Sequence, residues 1–200
     1  MGGVPKYLLP VKGKPMIFLV IEASLEAFCG RVAIITGCFG QETRDALSFW
    51  KKENPSWARR LFLLDNPLWQ EGMGTSLARA AMWAQQNQSR ALAVLLADQP
   101  LVEKEHLLEL ARVFNGMRPV AFSWAGKPVV PALFPPALFP RLAALEGEEG
   151  GRKILQDACA TLIGAPERLL ANANTPEAYA QILGLLEAAY SPTQKLHEAP

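Results

Sequence analysis

Apolar residues along the chain follow two alternating patterns. In one pattern, apolar positions recur every three or four residues, which indicates amphipathic helices. In the other, short apolar runs lie between glycine, proline or polar turns, which indicates buried strands. The helical pattern occupies residues 16–29, 41–54, 75–87, 102–114 and 175–190, and the strand pattern occupies residues 31–37, 60–66 and 91–98.

The same alternation continues between residues 119 and 165. Strands are predicted at 119–124, 129–134 and within 159–165, and helices at 136–145 and 150–159. Strands separated by helices favour an α/β fold with three layers, in which a parallel or mostly parallel sheet is covered on both faces. Residues 91–97, ALAVLLA, contain no polar position, so we expect this strand to be the most strongly buried.

Composition narrows the classes of function. The 200 residues suit one domain, which we place at 1–190, and the polar residues 191–200 predict a loose tail. The formal charge of +1 provides no field for nucleic acid or for a membrane surface. Three cysteines without the spacing of a zinc site indicate a reduced, cytoplasmic setting. The longest apolar runs are too short to cross a bilayer.

The end of the strand at 91–98 carries a candidate metal ligand. Ligands of such sheets bind beside the carboxyl ends of the strands. Asp98 lies at that end, where Gln99 and Pro100 turn the chain. Magnesium takes one or two protein carboxylates and completes its shell with water and phosphate oxygens. The alternative is a strand-end aspartate that caps the following turn or helix.

Two glycine-containing segments could bind a phosphorylated ligand. Gly72 and Gly74 lead from a strand into a helix, and Ser76 follows them. Glycine lets the backbone approach a ligand, and a helix N-terminus favours negative charge. At the start of the chain, Gly2, Gly3 and Lys6 could place N–H groups and an ammonium on a triphosphate. The alternatives are an ordinary loop for the first segment and a frayed terminus for the second.

A fourth candidate segment precedes the last helix. Asn172 and Asn174 lie just before Thr175 and Pro176. Asparagine at such a position is normally a cap or a turn residue. A side-chain carbonyl oxygen from either residue could also complete a magnesium shell.

These segments occur together in one order. The stretches are MGGVPKYLLPVKGKPMI, NPLWQEGMGTSL, LLADQPLV, PALFPPALFPRLAALEGEEGGRKIL and NANTPEAY. From about residue 1 to about residue 185, the chain resembles the MobA-like nucleotidyltransferases, which have a Rossmann-like fold. Within that family it most resembles the molybdenum cofactor cytidylyltransferase branch.

The resemblance implies transfer of a nucleotide from CTP to the terminal phosphate of molybdopterin, with release of pyrophosphate. It implies that Asp98 holds Mg²⁺ and that Lys6 contacts the nucleotide phosphates. It places the loop of Gly72, Met73, Gly74 and Ser76 beside the base, and it makes Asn172 or Asn174 the second metal ligand. These positions are taken from the family motifs and not from the spacing alone.

The chain also departs from the family pattern. The family begins with an apolar strand and a loop of the type L-A-A-G-x-S-x-R directly before the M-G at which this sequence starts. We therefore expect the sheet to lack its first strand, either because the start codon lies upstream or because this is a short natural form, and we favour the first explanation. Asn172 and Asn174 replace acids, whereas the substrate loop at 147–150 keeps its negative charge.

Three interpretations follow. The first is a magnesium-dependent nucleotidyltransferase that uses CTP and molybdopterin. The second keeps the reaction but uses GTP or a sugar phosphate, because base-selecting residues would lie in the missing segment. The third is a non-catalytic relative that binds a nucleotide or cofactor and serves a molybdenum hydroxylase apo-enzyme as its partner.

Overall fold

A computed structural model describes residues 5–173 and 175–189. The strands are β1 (Pro10–Val11), β2 (Lys14–Pro15), β3 (Val32–Thr36), β4 (Leu61–Asp65), β5 (Leu92–Val94), β6 (Val120–Trp124), β7 (Lys127–Phe134) and β8 (Thr161–Gly164). The helices are α1 (Met16–Ala27), α2 (Gly40–Glu53), α3 (Pro55–Ala58), α4 (Met73–Gln86), α5 (Lys104–Val113), α6 (Phe139–Ala143), α7 (Arg152–Asp157) and α8 (Pro176–Ala189). The predicted tail at 191–200, together with Gly2, Gly3 and Asn174, lies outside the described residues.

The main strands form two separate sheets. β3 and β4 pair in parallel, with Val32 opposite Leu61 and Thr36 opposite Asp65. The other sheet has the order β5-β7-β6-β8, in which β7 is antiparallel to both neighbours and β6 is parallel to β8. β1 and β2 form a small antiparallel hairpin. The predicted α/β fold with parallel sheet elements is confirmed.

Helix α1 covers one face of both sheets. Ile17, Phe18 and Ile21 pack in a cluster with side chains of β3, β4 and α2. Ala23, two residues after Ile21 on α1, packs with α5 and with Phe122 of the larger sheet. The two sheets therefore lie side by side beneath one helix.

Helix α4 covers the opposite face. Its Ala78, Ala81 and Ala84 pack against β5, β6 and β7 of the larger sheet. On the smaller sheet, the ring of Trp83 lies 5.5 Å from the ring of Phe62 in β4, and α4 also contacts β3. The layers are therefore helix, strands and helix, as predicted.

Between β3 and β5 the hydrogen-bonded sheet is interrupted. Within residues 5–173 and 175–189, no backbone hydrogen bond joins the β3–β4 pair to the larger sheet. Among the described residues, β5 is bonded along one edge only, to β7. The expectation that residues 91–98 form the most strongly buried strand is wrong, because only Leu92–Val94 is a strand and every residue from 91 to 98 is partly exposed. An apolar strand with one open edge leaves part of its surface uncovered.

Arg60 links the end of α1 to the start of β4. Its guanidinium donates to the carbonyl oxygens of Leu25 at 3.0 Å and Gly30 at 2.9 Å, and also to that of Phe28. The last carbonyls of a helix have no partner within the helix, so a cation there is favourable. The contact fixes where α1 ends relative to the smaller sheet. Among the described helices, none is both long and apolar enough to cross a bilayer.

Candidate functional site

Three strands end at one edge of the molecule. β3 and β4 run in the same direction, and Ala97, the residue before Asp98 in the segment that leaves β5, packs in the cluster that contains their side chains. Their carboxyl ends bring Thr36, Asp65 and Asp98 to this edge. We call it the carboxyl edge.

Asp98 lies in a turn that leaves β5. The turn is closed by backbone hydrogen bonds from Gln99 N–H to the Leu96 oxygen at 3.4 Å and from Val102 N–H to the Gln99 oxygen at 3.2 Å. Asp98 is half-buried, and its carboxylate makes no hydrogen bond or ion pair to the part of the chain that the structure describes. The capping alternative is wrong for α5, because Glu103 caps that helix. Asp98 therefore lies in the turn that leaves β5 with a carboxylate that has no structural partner among the described residues.

The segment that contains Lys6 packs beside this turn. Residues Lys6–Leu8 form a 3₁₀ turn that leads into the β1–β2 hairpin. Tyr7 and Leu8 pack in the cluster that also contains Ala97, the residue before Asp98. A frayed terminus does not describe this segment from residue 6 onward.

The segment that contains Asn172 closes the same region from another side. Ala173 is fully buried and packs in a cluster with Val11 of the hairpin and Leu101 of the turn after Asp98. Neighbouring residues thus place Asn172 near the hairpin and the Asp98 turn. Asn174, the alternative ligand, lies outside the described residues.

The Gly72–Gly74 turn is braced by Asn66 at the end of β4. The Asn66 amide nitrogen donates to Thr75 Oγ1 at 2.9 Å and to Ser76 Oγ at 3.0 Å, and its amide oxygen accepts from Leu68 N–H at 3.1 Å. Thr75 Oγ1 lies 2.8 Å from the Gly72 oxygen. The start of α4 is therefore held by buried polar contacts at the carboxyl edge.

Both glycines of this turn are packed against the chain itself. Gly72 has φ +125°, and a Cβ there would lie 2.3 Å from the carbonyl atoms of Gly147. A Cβ on Gly74 would lie 2.7 Å from the carbonyl oxygens of Glu146 and Glu149, and Gly74 N–H donates to the Gly147 oxygen at 2.8 Å. Residues 146–150, which we call the acidic loop, thus dock onto the turn. That the two glycines also admit a ligand stays a prediction.

Replacement of Gly74 by alanine is expected to lower the free energy of unfolding by about 1–3 kcal/mol, because the added methyl overpacks fixed carbonyl oxygens. Gly184 in α8 is a matched control, since a Cβ there meets nothing within 4 Å. Gly184→Ala should raise the same quantity by about 0.5–1 kcal/mol through helix propensity. Urea unfolding followed by circular dichroism measures both changes, and equal effects of the two substitutions would contradict the docked loop.

A second strand-end acid, which the sequence analysis did not single out, occupies the carboxyl edge. Asp65 Oδ1 accepts from Thr36 Oγ1 at 2.9 Å, and both carboxylate oxygens accept from Arg44 at 3.2 Å. The Thr36 hydrogen bond, followed by that of Arg44, holds the pKa of the exposed Asp65 carboxyl below its usual range. Asp65 follows LFLL as Asp98 follows AVLLA, so the same strand-end pattern could have identified it.

Exposed apolar side chains lie beside the Gly72–Gly74 turn. Trp69 packs its Cβ and Cγ against Gly37, where an added Cβ would lie 2.7 Å away. Trp69 itself is 39% exposed, Leu68 50% and Met73 54%. Clustered apolar side chains that are exposed to water are typical of a surface that a ligand or partner covers.

The buried His106 has a structural role. His106 Nδ1 accepts from the Glu103 backbone N–H at 3.1 Å and completes the cap of α5. Burial, followed by the nearby Arg168 cation, lowers the pKa of His106.

The oxygen atoms of Asp98 and Asn172 are suitable ligands for a metal ion that a bound phosphate also coordinates. No group of three or more histidine, cysteine, aspartate or glutamate side chains capable of holding a metal occurs in the described ranges. Asp98 supplies a carboxylate without a structural partner in those ranges, and Asn172 can supply an amide oxygen. Magnesium commonly takes one or two carboxylates and receives its other ligands from water and phosphate. These two oxygen ligands therefore fit a divalent cation that receives its remaining ligands from water or phosphate.

Comparison with solved structures shows the same fold in several proteins. Rv0371c from Mycobacterium tuberculosis H37Rv is 18% identical, with a TM-score of 0.72 over 91% of this chain and 90% of that one. Its complex with manganese is 17% identical, with a TM-score of 0.70 over 91% of this chain and 93% of that one. A nucleotidyl transferase (Mth528) from a Methanothermobacter species is 21% identical, with a TM-score of 0.71 over 93% of this chain and 87% of that one.

Sequence comparison gives the family. No curated protein sequence matches the chain. A family profile described as the MobA-like NTP transferase domain matches residues 1–184, which is nearly the whole chain. Together with the carboxyl edge and the shared fold, this match shows that the chain belongs to the MobA-like NTP transferase domain family.

Proposed function

We propose that the protein transfers a cytidylyl group from CTP to the terminal phosphate of molybdopterin and releases pyrophosphate. Members of the family are nucleotidyltransferases, and the choice of CTP and molybdopterin rests on the resemblance of its motifs to the cytidylyltransferase branch. One observation carries the catalytic assignment. Asp98, half-buried in its turn at the carboxyl edge, has a carboxylate without a structural partner among the described residues, beside the segments of Lys6 and Asn172.

In this proposal the chain's own residues bind and orient the triphosphate. Asp98 and Asn172 would hold Mg²⁺, which neutralises charge on the α-phosphate and on the departing pyrophosphate. The manganese complex of Rv0371c supports a divalent cation in this fold. Lys6 places its ammonium on the phosphates, and the acceptor phosphate attacks in line from the other side. Such transfer depends on positioning and charge rather than on a covalent intermediate.

The Gly72–Gly74 turn would contact the base. Ser76 Oγ accepts a hydrogen bond from the Asn66 amide nitrogen, so its own O–H is left to donate to a carbonyl oxygen of a pyrimidine. Met73, which is 54% exposed, offers an apolar side chain to the ring. Both features support the assignment of Gly72, Met73, Gly74 and Ser76 to base binding.

We infer further that the active form has one more strand between β3 and β5, followed by the L-A-A-G-x-S-x-R loop. Two observations support this inference. The sheet is interrupted at this place, and α1 and α4 nevertheless cover the strands on both sides of the interruption. The partly exposed apolar residues of β5 would pair with such a strand. The loop after it would reach the carboxyl edge, where Asp98 lies.

Pyrophosphate release tests the proposed reaction. The chain, with the additional strand and loop at its start, is incubated with molybdopterin, Mg²⁺ and either CTP or GTP. We expect release with CTP to exceed release with GTP by at least tenfold, and to stop without molybdopterin or with EDTA. Faster release with GTP would identify the second interpretation. Nucleotide binding without any release, in the presence of intact acceptor, would support the non-catalytic one.

A further inference from the structure

Two segments that carry proposed metal ligands lie against each other. Residues 98–103 run from Asp98 to the N-cap of α5. Residues 168–173, which we call the clasp segment, contain the end of a 3₁₀ turn and then Asn172. One ion pair and two apolar clusters join the two segments. The position of Asn172 is therefore coupled to that of the Asp98 turn.

Arg168 makes the polar contact between the segments. Its guanidinium donates to Glu103 Oε2 at 3.1 Å and lies 3.5 Å from His106 Nε2. Glu103 and His106 are held in turn by the cap of α5, in which the side chain of each accepts from the backbone N–H of the other. Arg168 thus bonds to an acceptor whose place is fixed by the helix that follows the Asp98 turn.

Apolar side chains continue the contact beyond Arg168. Leu169 is fully buried and packs in one cluster with Val102. Ala173 is fully buried and packs in another cluster with Leu101. As the clasp segment runs onward, it therefore meets positions 103, 102 and 101 in that order. The two segments run in opposite directions, so the clasp segment approaches the Asp98 turn as it reaches its end.

The two kinds of contact restrict the clasp segment in different ways. Apolar burial is non-directional, so the clusters hold the segment against the fold but restrict sliding along it only weakly. A hydrogen bond depends on distance and angle, so the contact between Arg168 and Glu103 fixes the register of the segment. Magnesium requires near-ideal octahedral geometry, so a change of register that displaces one ligand would weaken its binding.

We propose that Arg168 is a positioning residue for the metal site, because it sets where Asn172 lies relative to Asp98. This inference rests on the proposed function, which takes those two side chains as ligands of Mg²⁺. In this role Arg168 touches neither the cation nor the nucleotide. It acts through the register of the clasp segment, and its replacement weakens cation binding without removing a ligand.

Binding of Mn²⁺ in the presence of CTP, followed by electron paramagnetic resonance, tests the inference without turnover. It is measured for the 200-residue chain and for the chain with the additional strand and loop, and the variants are made in the form that binds more tightly. We expect Arg168→Ala to weaken Mn²⁺ binding about fivefold, less than the roughly 10–100-fold effect of residues that bond directly to a metal ligand. Glu103→Gln, which keeps an acceptor for the cap of α5 but loses its charge, should act in the same direction. Arg168→Lys should recover part of the affinity.

Arg141 provides a matched control. In its ion pair with Asp157, at 2.8 Å, the side chains are 47% and 45% exposed, compared with 50% and 46% for Arg168 and Glu103. Arg141→Ala and Arg168→Ala should therefore change the urea midpoint equally little, because exposed ion pairs contribute little to stability. Arg141→Ala should leave the Mn²⁺ affinity unchanged. Hydrogen exchange of the Ala171 amide, which donates to the Arg168 oxygen at 3.3 Å, should quicken only in Arg168→Ala.

The outcomes separate this inference from the proposed function. An unchanged Mn²⁺ affinity in Arg168→Ala, beside a complete loss in Asp98→Ala, would overturn the positioning role and leave the proposed function intact. An equal loss in Arg141→Ala would also overturn it, as a general effect of lost ion pairs. Mn²⁺ binding that Asp98→Ala leaves unchanged, or no Mn²⁺ binding at millimolar CTP, would remove the metal site and both proposals. Circular dichroism checks that each variant is folded, and Glu103→Gln tests the contact if Arg168→Ala is not.

Discussion

Addition of an apolar strand and an L-A-A-G-x-S-x-R loop ahead of Met1 is expected to raise the free energy of unfolding by about 3 kcal/mol or more. Each backbone hydrogen bond that forms contributes about 0.5–1.5 kcal/mol, and a strand between β3 and β5 would form several. It would also cover the partly exposed apolar residues of 91–98. For a domain whose whole stability is about 5–15 kcal/mol, such a change is large.

Urea unfolding of the chain with and without the extension measures this effect. The control is an extension of equal length in which the apolar strand residues are replaced by serine and lysine, which cannot fill an apolar gap. Hydrogen exchange of the β3 and β5 amides should slow only with the apolar extension. If the polar extension stabilises equally, or if the β3 amides stay unprotected, the interruption of the sheet does not accept a strand.

Replacement of Asp98 by alanine is expected to reduce kcat/KM for pyrophosphate release by about 10²–10³-fold, the usual effect of losing one electrostatic contact to the transition state. Because no described residue bonds to this carboxylate, the same substitution should change the free energy of unfolding by no more than about 0.5 kcal/mol. The combination separates a ligand-binding acid from a structural one. Activity is measured on the extended chain with CTP, molybdopterin and Mg²⁺.

Asp45→Ala provides the comparison for Asp98. Asp45 lies exposed on α2, where it accepts from Gln41 at 2.9 Å, and it has no place in the proposed chemistry. Its removal should leave kcat/KM within twofold. Full activity of the Asp98→Ala enzyme would refute the metal-binding assignment, and a large loss of stability in that variant would give the residue a structural role instead.

Most of the layered fold could be predicted from periodicity, because long amphipathic patterns report which faces are buried. The helix predicted at 41–54 forms at Gly40–Glu53, and the strand predicted at 60–66 forms at Leu61–Asp65. The strand at 91–98 could not be judged in this way. Its apolar composition expresses a tendency to be buried, but its exposure depends on a neighbour that lies elsewhere in the chain.

The candidate site shows the same division between local and distant causes. Asp98 could be found because it directly follows an apolar run. The packing of Gly72 and Gly74 against the acidic loop could not, since the contacts join residues more than seventy positions apart. Likewise, the hydrogen bonds that Thr36 and Arg44 donate to Asp65 depend on the pairing of β3 with β4, and no local sequence pattern predicts them.

The interruption between the two sheets has a consequence for ligand affinity. Asp98 is attached to the larger sheet, whereas the turn of Gly72 and Gly74 leaves the smaller one. A nucleotide held at both ends would cross-link two halves that no backbone ladder connects in the described chain. Part of its binding free energy would then go into restricting the relative motion of the two halves. A change that already holds the halves together would therefore raise the affinity for nucleotide, and bound nucleotide would in turn raise the free energy of unfolding.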